Sequence, residues 1–178
     1  MGPEPFLSTV LSDLIQGFNQ QSLDYALAGG WAFSALVEPR ATTDVDLLIL
    51  LQEPSPEKIS KFFHGMFDSV IPHPAPMVFD GVAIWRVVGF RNEREIIVDL
   101  LLAESEFLKH ALTRKQTMEF LGMGLPIVTI EDLILLKTMA GRLQDLADLE
   151  KIKQSGAEVP IDWDYVRNWE KKLRLKEV

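Results

Sequence analysis

LDYALAGGWAFSALVEPRATTDVDLLILL (23–51) is the stretch that decides the fold. Residues 23–29 read as a short strand running into the Gly29-Gly30 pair, and residues 31–38 as a helix opening directly after it. Residues 43–51 alternate at first and then become continuously apolar, the pattern of a buried strand. Asp44 and Asp46 stand two apart in that strand. Their side chains therefore project from one face, while Val45 points to the other.

A third acid follows in IIVDLLL (96–102). Asp99 is flanked on both sides by aliphatic residues, where a carboxylate is costly unless it is paired or metal-bound. If its strand neighbours residues 43–51, then Asp44, Asp46 and Asp99 converge, and mutual repulsion and burial raise their pKa values. A hard divalent cation relieves this. Mg²⁺ takes oxygen ligands and keeps part of its shell for water and substrate phosphates. Two such ions about 4 Å apart suit a phosphoryl or nucleotidyl transfer. The alternative for Asp99 is a salt bridge to an arginine such as Arg86. The glycine pair fits the same chemistry: without a Cβ, Gly29 and Gly30 let a phosphate approach the backbone, and the helix after them turns free N–H groups toward it. Taken alone, a Gly-Gly turn is only a turn and an Asp-X-Asp only a strand cap; the argument rests on their order.

Around this centre the chain reads as a compact α+β unit. An N-terminal helix places Phe6, Val10, Leu14 and Phe18 on one stripe, and a helix through about His64 follows the EPSPE loop (53–57). IPHPAP (71–76), with three prolines, is expected to be irregular. Residues 82–90 and 94–103 form an antiparallel pair of strands about Arg91-Asn92-Glu93, and Ser105 caps a short helix over 105–112. Residues 117–129 form a hairpin turning at Met123-Gly124. Thr129 caps a helix with Glu131 and Asp132 in its first turn; it runs to about residue 142, with a break at Gly141 before a helix over 143–154. Residues 156–160 are a loop, and 162–175 a last amphipathic helix. The organisation is a core over 1–130 and a C-terminal helical segment over 131–178 packed on it.

Composition bounds the function. The chain has 178 residues, 47% of them hydrophobic and 25% charged, which excludes a disordered or fibrous protein. Its formal charge of −8 argues against general nucleic-acid binding, since phosphates must be met by Lys and Arg. There is no cysteine, which excludes disulfides, thiolate zinc sites and cysteine nucleophiles and suits a reducing compartment. Residues 1–20 contain no Lys or Arg, and the longest apolar run, LLILL (47–51), is far short of the roughly 20 residues of a membrane helix. A soluble, cytoplasmic protein with no membrane partner is expected.

GGWAFSALVEPRATTDVDLLI followed by IIVDLLL resembles the polymerase-β-type nucleotidyltransferase superfamily, whose members carry a Gly-Gly or Gly-Ser pair, an Asp-X-Asp or Asp-X-Glu, and a third acid on a later strand. RATTDVD and TIEDLILLKTMAGRLQDLADLEKI are similar to a narrower branch, the minimal and abortive-infection toxin-like nucleotidyltransferases. The likeness runs from about residue 23 to 153. It implies the nucleotidyltransferase fold, a mixed sheet flanked by helices. It also implies Mg²⁺ as cofactor, an NTP as substrate and, for the toxin branch, a cognate antitoxin protein as partner. It carries Asp44, Asp46 and Asp99 over as metal ligands, with Asp99 completing the site or acting as general base. Lys137 would reach the nucleotide phosphates, and Gly29, Gly30, Arg40, Thr42 and Asp148 would belong to the nucleotide site. Gly30 departs from members that place a phosphate-binding serine there.

Other readings stand beside these. Lys137, Gly141, Gln144 and Asp148 share a stripe if the helix is continuous, with Asp145 beside it. Lys137 could instead snorkel from an apolar helix, and Asp145 and Asp148 could be surface acids or make helix–helix salt bridges. Arg40 and Thr42 either position phosphate or hold their loop. His64, His73 and His110 show no ligand spacing, and the four tryptophans read as core, Trp31 being the one that could line a base pocket. Arg167, Lys171, Lys172, Arg174 and Lys176 form a basic face where an RNA backbone could land. The expected activity is transfer of NMP to an acceptor hydroxyl, of RNA, protein or a small molecule, with release of pyrophosphate. The rivals are a catalytically inactive protein of the same fold that only binds, and a metal-dependent phosphohydrolase.

Overall fold

Strand alternation builds the centre of the molecule, which a computed structural model describes over residues 5–120, 122–155 and 160–175. The strands are β1 (Asp24–Leu27), β2 (Asp44–Leu50), β3 (Ser69–Pro72), β4 (Met77–Phe79), β5 (Val82–Arg91), β6 (Arg94–Leu102), β7 (Gln116–Phe120) and β8 (Met123–Ile127). They form one mixed sheet in the order β3-β5-β6-β2-β1-β8-β7, with β4 also pairing to β5. The pairs β2–β6 and β1–β8 are parallel, and the others antiparallel. In the β2–β6 register Val45, Leu47 and Ile49 lie beside Val98, Leu100 and Leu102, and all six are buried on one face. The opposite face of the same two strands carries Asp44, Asp46, Asp99 and Leu101.

The helices are α1 (Pro5–Gln20), α2 (Gly29–Leu36), α3 (Pro56–Phe62), α4 (Glu106–Thr113), α5 (Ile130–Ala140), α6 (Leu143–Ser155) and α7 (Trp163–Leu173). Helix α1 buries Val10, Leu14 and Phe18 as its stripe requires, while Phe6 stays half-buried under Arg94. Residues 130–137 of α5 are all buried, because this helix packs against α2, α6 and α7 at once. The caps expected from sequence form: Ser105 Oγ accepts from Leu108 N at 3.2 Å, and Thr129 Oγ1 accepts from Asp132 N at 3.3 Å while donating to Asp132 Oδ2 at 2.8 Å. Gly141 ends α5 in the left-handed conformation, so the break before α6 is real.

Three expectations are corrected. IPHPAP is not wholly irregular: β3 includes Ile71 and Pro72, with Pro72 opposite Val87. Proline is tolerated there because β3 is the last strand on its side of the sheet. Strand β4 was not foreseen at all. It is joined to β5 through Asp80 and Gly81, both at positive φ (47° and 80°), the two-residue Asp-Gly hairpin turn. The second hairpin does not turn at Met123-Gly124, which belong to β8; the bend comes earlier, with Gly122 at φ 76°. The proposed loop over 156–160 lies, but for Pro160, outside the described residues.

Thr129→Ala removes the reciprocal cap of the central helix without touching the core. It should cost about 1 kcal/mol and lower the melting temperature by about 2–4 °C in a thermal melt.

Candidate functional site

One row across the sheet sets the chemistry. The parallel register places Asp46 of β2 directly beside Asp99 of β6, and the antiparallel register places Arg86 of β5 on the other side of Asp99. Asp44, two residues before Asp46, shares its face. The three acids thus come together as their order in sequence suggested. Their surroundings differ, however. Arg86 grips Asp99 with a two-pronged bond, Nε donating to Oδ1 at 2.8 Å and Nη2 to Oδ2 at 2.7 Å. This is the ion pair the sequence left open as the alternative for Asp99. Asp44 Oδ1 accepts from Thr43 Oγ1 at 2.9 Å. Among the described residues no hydrogen bond or ion pair reaches the carboxylate of Asp46. Burial, reinforced by the charges of Asp99 and Asp44 and only partly offset by Arg142 and Lys137, pushes its carboxyl up to about 6.

A cavity of about 270 Å³ lies over this row. Asp46, Asp80, Asp99, Arg86, Lys137, Arg142 and Asp145 line its charged part, and Met77, Phe79, Val82, Ile84, Leu133 and Leu136 its apolar part, while Asp44 does not border it. Gly29 borders it at the start of α2 with φ +58°, and a Cβ there would lie 1.8 Å from Asp46 Oδ2. No side chain caps this helix end, which leaves its first-turn N–H groups for an anion. Gly30 does not border the cavity. A Cβ on it would meet Arg40 Nη2 at 2.5 Å and Thr42 Oγ1 at 2.7 Å.

The remaining residues singled out from sequence join the cavity wall, at Lys137 and Asp145, to a support behind it. Lys137, only 4% exposed, turns inward rather than snorkelling. Its Nζ donates to Asp148 Oδ2 at 2.6 Å and lies 3.4 Å from Asp145 Oδ1, binding α5 to α6. Asp148 is fully buried, accepts also from Gln144 Nε2 at 3.0 Å, pairs with Arg40 Nη1 at 3.6 Å and does not line the cavity. The stripe of Lys137, Gln144 and Asp148 is therefore assembled across a helix break, by α6 folding back on α5. Arg40 and Thr42 hold the loop before β2: Arg40 N and O both bond Ser34 Oγ, and Thr42 Oγ1 donates to the carbonyl of Asp44. Trp31 is fully buried, edge-on to Phe120, and neither it nor any histidine lines the cavity. Of the C-terminal basic run, Arg167 pairs with Asp164 and Lys172 lies over Trp169, both away from the cavity; Lys176 is outside the described residues.

Sequence reasoning missed Arg142 and the β4–β5 hairpin. The Arg142 side chain is 71% exposed, lines the cavity and pairs with Asp145 through Nε at 2.7 Å. It comes straight after the helix-ending glycine, and no spacing marked it as facing inward. The hairpin had a legible signal in Asp80-Gly81 between two apolar runs.

The donor chemistry fits Mg²⁺ in part. Among the described residues no group of three His, Cys, Asp or Glu side chains is placed to hold a metal ion. Asp46, unpartnered and crowded by like charges, and Asp44 beside it offer the oxygen donors that Mg²⁺ takes when substrate phosphates and water complete its shell. Asp99, with both oxygens already bonded to Arg86, fits less well.

No protein-family model and no curated protein sequence matches the chain. Solved structures do. TM1012 of Thermotoga maritima, assigned as a nucleotidyltransferase, superposes with a TM-score of 0.57 at 15% identity, over 86% of this chain and 96% of its own. ANT(2″)-Ia in complex with adenylyl-2″-tobramycin superposes with a TM-score of 0.58 at 13% identity, over 93% and 95%. The solution structure of the same antibiotic-resistance factor gives 0.54 at 10% identity, over 92% and 90%. The chain has the nucleotidyltransferase fold.

A carboxyl whose pKa is raised on folding favours the folded chain at low pH. That contribution is lost as pH rises from 3.8 through about 6. Asp46→Asn should therefore stabilise the protein in EDTA at pH 7.5, by about 1–2 kcal/mol after allowing for solvent screening, and by less at pH 5; urea unfolding at both values checks this. Gly29→Ala should do the reverse. It forces a Cβ onto Asp46 in a left-handed conformation, and the same assay should show a loss of at least about 2 kcal/mol.

Proposed function

We propose that the protein is an Mg²⁺-dependent nucleotidyltransferase that moves NMP from an NTP to an acceptor hydroxyl and releases pyrophosphate. The observation that carries this reading is the unpartnered, charge-crowded Asp46 carboxylate lying against the uncapped start of α2. A metal-binding carboxylate and an anion-binding helix end so close together suit a metal–polyphosphate such as an NTP.

In this reading Asp44 and Asp46 hold the metal, which would screen charge on the phosphates when bound. The uncapped start of α2 at Gly29 faces the triphosphate, and Gly30 lets Arg40 and Thr42 pack against that helix. Arg142, exposed at the cavity wall, supplies positive charge for the departing pyrophosphate. Lys137 keeps its charge below the cavity and fixes α5 against α6 through Asp145 and Asp148, with Arg40 and Thr42 bracing the loop before Asp44. The apolar wall from Phe79 to Leu136 accommodates the base or the acceptor. The acceptor oxygen forms the new bond to the α-phosphorus, the bond to the bridging oxygen breaks, pyrophosphate departs with the electron pair, and the hydroxyl proton is lost to solvent. In-line positioning and charge stabilisation supply the rate, with little covalent chemistry from the chain.

The adenylylated sugar hydroxyl bound to ANT(2″)-Ia is a product of the class this reaction makes. For the present chain the acceptor is an RNA 3′ end, a protein or a small molecule. The likeness to the abortive-infection branch makes a cognate antitoxin protein the partner to seek. No helix among the described residues is long and apolar enough to cross a membrane, and the lack of cysteine agrees with action in the cytoplasm.

Incubation of the four α-labelled NTPs with total RNA, lysate protein and small-molecule fractions should transfer label to one acceptor class and release pyrophosphate rather than phosphate. Asp44→Ala and Asp46→Ala should each lower transfer by about 10²–10³-fold or more with an unchanged circular dichroism spectrum. Undiminished labelling by either variant overturns the reading.

A further inference from the structure

The partners of the acids on the β2–β6 face leave room there for one divalent ion rather than two. Asp99 is neutralised by Arg86 in a fork that engages both of its oxygens. Asp145 pairs with Arg142 and Lys137, and Asp148, behind it, with Lys137 and Arg40. Asp80, on the β4–β5 turn, also lines the cavity but belongs to neither β2 nor β6. Of the three acids on the β2–β6 face, Asp44 and Asp46 are left without a cationic partner among the described residues, and two negative charges match one divalent cation.

We propose that Arg86 takes the place of a second metal ion at this site: its guanidinium holds Asp99 and supplies the positive charge there, so that a single divalent ion on Asp44 and Asp46 serves the reaction. The inference rests on the nucleotidyltransferase reading and deepens it. Register fixes the arrangement, because Arg86 lies opposite Asp99 across β5–β6 and cannot leave that row without strand slippage. Its side chain is 41% exposed and faces the cavity, whereas that of Asp99 is 10% exposed. A cation seeking Asp99 would therefore have to sit beside a guanidinium that is already bonded to both oxygens, and the two positive charges repel. Asp99 in turn strengthens the proton affinity of Arg86, first through these hydrogen bonds and then by its charge, so the arginine stays cationic at any working pH. Arg86 is accordingly a positioning residue: it acts on the reaction through Asp99 and through charge.

The test counts metal ions. Mn²⁺ is titrated into the full chain with a saturating mixture of the α,β-methylene analogues of the four ribonucleoside triphosphates, and bound Mn²⁺ is followed by electron paramagnetic resonance. The wild-type chain should bind one Mn²⁺ per bound nucleotide, with the six-line spectrum of an isolated ion. Arg86→Gln, which keeps a hydrogen-bond donor for Asp99 and removes the charge, should bind two and give the spin-coupled spectrum of a close pair. Asp99→Asn in the wild-type background should leave the count at one, and this arm decides the matter if the arginine variant does not fold. Two ions on the wild-type chain, one ion on Arg86→Gln, or loss of the ion on Asp99→Asn each overturn the inference while leaving the transferase reading intact. No Mn²⁺ and no nucleotide on the wild-type chain overturn both.

Discussion

Two carboxylates side by side on neighbouring parallel strands are the constraint around which the molecule is arranged. The pairing of Asp46 with Asp99 follows from the β2–β6 register, and that register is held by three buried aliphatic pairs on the opposite face. A slip of one residue would turn Val45, Leu47 and Ile49 toward the cavity and the acids into the core. The apolar face therefore enforces the repulsion on the polar face. Hydrophobic burial of six aliphatic side chains, each contributing about 1.5–3 kcal/mol, outweighs what the repulsion between two partly solvated carboxylates can cost. That surplus is what allows a destabilised acid to persist at the site.

The rest of the polar structure can be read as a response to this choice. Arg86 answers Asp99 from one side of the sheet. Lys137 and Asp145 line the same cavity, and Asp148 and Arg40 extend them into an alternating set of charges that connects α5, α6 and the loop before β2. Buried ion pairs of this kind are weak sources of stability, since desolvation offsets most of their attraction. Their effect is on geometry. Removing one member strands its partner in a low-dielectric interior, so the helices, the loop and the strand start are bound to move together. This network gives Asp46 no direct contact, and the proton affinity of Asp46 rises.

How much of this the sequence disclosed depends on whether a feature is local. Periodicity and end chemistry fixed the strands of Asp44, Asp46 and Asp99, the caps at Ser105 and Thr129, and the break at Gly141, because each depends on residues within a few positions of one another. The adjacency of Asp99 to Asp46 needed a guess about strand order, for which periodicity carries no information. The partner of Asp99 was harder still. Arg86 is one candidate among the arginines of the sequence, since opposition across a hairpin depends on the register of the Arg91–Arg94 turn. Arg142 was invisible: its role is created by α6 folding back after Gly141, a tertiary event with no short-range signature. Proline misled at Pro72 because its rule concerns the hydrogen-bonding side of a strand, and which strand lies at an edge is decided by the whole sheet.

The glycine pair shows how a departure from a family pattern can have a local cause. A serine at position 30 would put its Cβ 2.5 Å from the Arg40 guanidinium and 2.7 Å from the Thr42 hydroxyl. Arg40 cannot easily withdraw, since its guanidinium pairs with the buried Asp148 and lies 5.8 Å from the centre of the Phe33 ring. Thr42 is likewise tied to the carbonyl of Asp44, the first residue of the acidic strand. Glycine at 30 is thus the residue that lets α2, the loop and β2 close on one another. The space that a serine side chain would need is filled by an arginine, so positive charge stands beside the helix start. The absence of serine is then no sign of a lost site. It belongs to a different local packing in which no side-chain hydroxyl caps the helix start, and the close approach at Gly29 brings that helix start to the carboxylate of Asp46.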